Sequence, residues 1–144
     1  MTNAQVIASW WRGLITIAQQ GDQRIATKAA KSPATVAAIS KEIVIIRKLN
    51  ELGLDFVPHI TASTNNSFSY PWIDGEHFSS VRKHSTPPQK KELAIKLLSR
   101  AYQLDKIGVV HGELIRPFTN VLVTPEREVK IIDFERGKLG DESG

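Results

Sequence analysis

Three fragments near the C-terminal end constrain this chain most: His111-Gly112-Glu113-Leu114, Asn120-Val121-Leu122-Val123 and Ile131-Ile132-Asp133-Phe134. They read as a short loop carrying a carboxylate, a strand that opens on an amide, and a second strand that ends on a carboxylate. Pro125-Glu126-Arg127 supplies the turn between the two strands. Amide and carboxylate oxygens suit a hard divalent cation, and Glu113 stands beside them as a candidate proton acceptor.

The 144 residues are enough for one domain with a sizeable core. A formal charge of +4 suits an anionic ligand, yet the 19 Lys and Arg are scattered, never more than two in a row. That dispersal carries no nucleic-acid footprint. The absence of cysteine excludes disulfides, thiolate nucleophiles and Cys-ligated zinc, and is compatible with a reducing cytoplasm, the expected location. The apolar stretch from Val6 to Ala18 is too short to span a bilayer and is interrupted by Arg12. It reads instead as a strand pair or a strand and turn.

Two β-favouring runs, Gly13 to Ala18 and Gln23 to Ala29, flank a turn at Gly21-Asp22 and form a hairpin. Ser32-Pro33 opens a helix whose apolar positions are Val36, Ile39, Ile43, Ile46 and Leu49, with Gly53 beyond its end. Phe56 to Thr61 and Asn66 to Ile73 are expected to make a second hairpin. A second amphipathic helix runs from about Pro88 to Ile107, with Gly108 to stop it. Strands at Asn120–Thr124 and Glu128–Asp133 follow, and the last ten residues are polar with little to form structure. The order β-β-α-β-β-α-β-β is α+β, since strand-helix alternation is not sustained. A small antiparallel-sheet part with one helix, residues 1–73, is expected to join a mainly helical part, residues 74–144.

Glu42 points from the apolar stripe of the first helix, and a carboxylate there needs a partner because burial alone is costly. Lys28 is the natural candidate. Otherwise Glu42 lies at the stripe's edge and reaches water, with Lys28 a plain surface lysine.

These pieces in order resemble the protein-kinase-like superfamily. Ile25-Ala26-Thr27-Lys28 resembles the strand whose lysine holds the nucleotide phosphates, and Glu42 the helix glutamate that pairs with it. Phe68 to Phe78 is similar to the hinge that receives an adenine ring, with Tyr70 at the back of the pocket and Trp72 and Ile73 along it. His111-Gly112-Glu113 resembles the catalytic loop in the His-Gly form of RIO-type and lipopolysaccharide-type kinases, with Glu113 in place of aspartate. His111 itself is expected to pack and hydrogen-bond. Asp133-Phe134-Glu135 resembles D-F-G with glutamate in place of glycine. At the glycine-rich loop, Gly13 aligns with the last glycine, leaving Ala8 and Trp10 at the others.

The resemblance implies a small N-lobe and a truncated C-lobe that bind ATP and Mg²⁺ and move the γ-phosphoryl group to a hydroxyl. Lys28, oriented by Glu42, would hold the phosphates. Asn120 and Asp133 would ligate Mg²⁺, Glu113 would orient or deprotonate the acceptor, and Arg116 would contact the transferred phosphate. The acceptor is a protein Ser/Thr hydroxyl or a small molecule. The alternative is an inactive nucleotide-binding relative that acts as an interaction module. A C-lobe cut short would leave helix 88–107 with an exposed apolar patch or one covered by association.

Overall fold

The computed structural model describes residues 5–10, 13–111, 120–134 and 137–139, with residues 8–10 by backbone alone. The chain is α+β and divides into two compact units, Met1–Trp72 and Ile73–Gly144.

In the first unit, β1 (Gln5–Trp10), β2 (Gly13–Gln20) and β3 (Gln23–Ala30) make an antiparallel meander. The β2–β3 turn places Gly21 at φ 61°, a left-handed conformation that glycine adopts without steric cost. Two more strands, β4 (Ala62–Ser63) and β5 (Ser67–Pro71), complete a five-stranded sheet in the order β1-β2-β3-β5-β4. Strand β3 is therefore central, paired on both edges.

The first helical segment starts with a 3₁₀ turn at Pro33–Thr35, where the Thr35 hydroxyl donates to the Ser32 carbonyl at 3.0 Å. Helix α1 (Val36–Glu51) follows and buries Ile39, Glu42, Ile43, Ile45, Ile46 and Leu49. Gly53, at φ 78°, turns the chain out of it.

The strand expected over Phe56 to Thr61 does not form. On the edge of β5 away from β3, the paired strand is only Ala62–Ser63, with the Thr61 amide donating to the Ser69 carbonyl at 2.9 Å just before it. The upstream segment buries Phe56, Val57 and Ile60, which do not alternate, and Pro58 has no N–H to give a ladder. The Asn50 side chain serves that backbone instead, donating to the Pro58 carbonyl at 2.9 Å and accepting from the Ile60 amide at 3.0 Å. Asn50→Ala deletes both bonds, and urea titration should show a loss of about 1–3 kcal/mol.

The second unit holds more sheet than its sequence suggests. Two-residue strands leave no periodic trace, so β6 (Glu76–His77) and β7 (Val109–Val110) escape a reading by pattern. The unit also has a short helix α2 (Phe78–Lys83), a long helix α3 (Pro87–Lys106), and strands β8 (Val121–Val123) and β9 (Val129–Ile131). Helix α3 opens on a reciprocal cap: the Gln89 amide donates to Thr86 Oγ1 at 3.3 Å and the Thr86 amide to Gln89 Oε1 at 2.9 Å. Its Leu93 joins Phe78, Val121, Val123 and Val129 in an apolar cluster, with Val81 and Leu97 against it. The expectation that the last ten residues lack structure is corrected by β10 (Lys138–Leu139), which pairs antiparallel with β7. Backbone hydrogen bonds need no apolar side chains, which is why a polar tail can still extend a ladder.

Candidate functional site

Within the first unit, residues on β3, β5 and α1 come together. Alternation along β3 sends Ala26 and Lys28 to one face, opposite Tyr70 and Phe68 on β5. The other face is polar at this level, where Thr27 Oγ1 and Ser69 Oγ lie 2.8 Å apart. Lys28 Nζ approaches Glu42 Oε1 to 2.8 Å, and the two residues are 4% and 1% exposed. An ammonium and a carboxylate this deep in the unit hold each other in place, because either alone would face a large desolvation cost. Lys28 is flanked by the buried Phe68 and Tyr70, whose rings are 5.6 Å apart.

Tyr70 is thus a core residue of the first unit, adjacent to the lysine strand through its pairing with Ala26. Trp72 is half-buried, and its amide donates to the Arg24 carbonyl at 2.9 Å. That amide is therefore engaged by protein. Ile73 begins the second unit and is half-buried.

In the second unit, Asn120 and Asp133 stand at the same end of the β8–β9 hairpin. The register Val121↔Ile131 sets Asn120 across from Ile132, and the Ile132 amide donates to the Asn120 carbonyl at 2.9 Å. Asn120 is buried and Asp133 half-buried. His111, just beyond β7, donates from Nε2 to the Ile132 carbonyl at 2.8 Å, which fixes a proton on that nitrogen. Its ring meets Phe134 edge-on with centroids 4.8 Å apart. Ile132 is therefore held on both sides, through its amide by Asn120 and through its carbonyl by His111.

The next residue, Asp133, has φ 71°. A left-handed backbone costs an ordinary residue about 1–2 kcal/mol, and aspartate is among the few that visit it. The fixed Ile132–Asp133 peptide and the fully buried Phe134 hold this conformation between two anchors. Sequence reasoning missed the geometry. Its only trace was an aspartate, tolerant of positive φ, directly after an apolar strand.

The far end of the hairpin is fastened to α3. Lys96 Nζ donates to the Arg127 carbonyl at 2.7 Å, and Arg127 Nε donates to Glu92 Oε1 at 3.1 Å. The hydrogen bond from Arg127 holds the Glu92 carboxyl below its usual range, with Lys96 adding to the effect. A cavity of about 330 Å³ lies at this turn end, with Asp74, Glu76 and Arg127 among its walls. It is separate from the Asn120 and Asp133 end.

Glu113 and Arg116, expected at the acceptor side, lie outside the described residues, as does Glu135. Among the described residues no three His, Cys, Asp or Glu side chains gather as a metal cluster. One amide and one carboxylate are a donor set that suits Mg²⁺, which commonly takes one or two protein oxygens and fills its octahedron with phosphate and water. Among the described residues no helix is long and apolar enough to cross a membrane. No protein-family model matches the chain, and no curated protein matches it.

Proposed function

We propose that this chain is a protein-kinase-like phosphotransferase, moving the γ-phosphoryl group of ATP to a hydroxyl, with a protein Ser or Thr as the preferred acceptor. The observation that carries the reading is the buried Lys28–Glu42 pair at 2.8 Å on the central strand. An ammonium held rigidly by a carboxylate is suited to take up phosphate charge, which is most of what phosphoryl transfer asks of a protein. Asn120 and Asp133, at one end of the β8–β9 hairpin, would supply the oxygens that hold Mg²⁺. Bound Mg²⁺ neutralises charge on the phosphates. Glu113 serves as the acceptor's base, and Arg116 contacts the phosphoryl group. Tyr70, Trp72 and Ile73 border the nucleotide base, with the hydrogen bonds to adenine falling to groups other than the Trp72 amide. The absence of cysteine fits work in the reducing cytoplasm.

A nucleotide-binding module without turnover is the second reading. It is favoured by Trp10, placed where the family's loop needs a glycine for close approach to phosphates, and followed by Gly13 in register across the β1–β2 ladder. Titration calorimetry with ATP tests both. Binding that requires Mg²⁺ is expected, and no binding in either condition would overturn both readings. Transfer of labelled phosphate to a generic protein acceptor or to the chain itself then separates enzyme from module.

A further inference from the structure

Helix α3 has two apolar faces, and one is exposed. Leu93 and Leu104 are buried, whereas Ile95, Leu98 and Tyr102 are 56%, 68% and 66% exposed. These three share one stripe, and the stripe continues to Lys91 at one end and Asp105 at the other, both exposed. The steps 91, 95, 98, 102, 105 alternate four and three, the spacing of a coiled-coil seam rather than of scattered surface residues.

We infer that this stripe is a self-complementary docking surface on which α3 of a second copy packs antiparallel, about a two-fold axis near Leu98. The charge pattern selects both the partner and its direction. Lys91 and Asp105 lie seven residues either side of Leu98. A two-fold antiparallel pairing therefore brings Lys91 of one copy to the end where Asp105 of the other lies, twice per dimer. A parallel pairing would set lysine beside lysine and aspartate beside aspartate. Neither side chain makes an ion pair among the described residues, so both charges are available. The apolar centre supplies the attraction, and the terminal charges set register and direction.

Sedimentation equilibrium across a dilution series tests this, with circular dichroism to verify folding. The parent protein is expected to show a reversible monomer–dimer equilibrium. Leu98→Glu, at a site exposed enough to leave the fold intact, should abolish it. Lys91→Glu and Asp105→Lys should each weaken self-association about tenfold or more, since every favourable pair becomes a repulsive one. An equimolar mixture of those two variants should associate again, as a heterodimer. A parent that stays monomeric throughout overturns the inference, because the face then serves some other partner. A dimer indifferent to Leu98→Glu, or variants that fail to complement each other when mixed, overturns it equally.

Discussion

Replacing Glu42 with alanine should cost about 3–5 kcal/mol of folding stability, because it removes the carboxylate 2.8 Å from a buried ammonium. Chemical denaturation followed by circular dichroism measures the loss. The informative companion is the double change Lys28→Met with Glu42→Leu. Two apolar side chains of similar volume remove both desolvation costs, so its stability should equal or exceed that of the parent. If the pair exists for nucleotide phosphates, this well-folded variant should lose magnesium-dependent ATP binding. A double variant that binds ATP as the parent does would leave the pair a purely structural device and remove the main support for the phosphotransferase reading.

Asp133 offers the second large effect. Asparagine keeps the tolerance for a left-handed backbone while deleting the charge, so Asp133→Asn should fold with stability within about 0.5 kcal/mol of the parent. On the proposed function, phosphoryl transfer should nevertheless fall by about a hundredfold or more, since the charge proposed to hold Mg²⁺ is lost. Asp133→Val removes the charge and also forces a β-branched residue to φ 71°, adding a stability loss of about 1–2 kcal/mol. Asp133→Ala would mix the two causes, so the asparagine variant is the cleaner probe. Unchanged transfer in Asp133→Asn, assayed with labelled ATP, would remove Asp133 from the proposed cation site.

The parts of this molecule that were legible in the sequence are those with a long periodic signal or a strong local one. Helix α1 announced itself through Ser32-Pro33, its isoleucine stripe and Gly53, and the β2–β3 hairpin through Gly21-Asp22. Even the ion pair could be reasoned from a glutamate on an apolar stripe and a lysine one element upstream. The failures have a common cause. Phe56 to Thr61 looked like a strand by composition, but its Pro58 carbonyl and Ile60 amide are taken by the side chain of Asn50 at the end of the preceding helix. Strands β6, β7 and β10 are two residues long and held by pairing alone, which no pattern within a single segment can show. His111 was readable as a packing histidine. That it clasps the carbonyl next to Asp133 was not, because the contact spans 21 residues and depends on where both strands end.

The pairing of Lys138–Leu139 with Val109–Val110 ties the segment after Phe134 to the strand that leads into His111. The histidine clasp and this ladder therefore anchor described residues on either side of Asp133, the Ile132 carbonyl before it and Lys138–Leu139 after it.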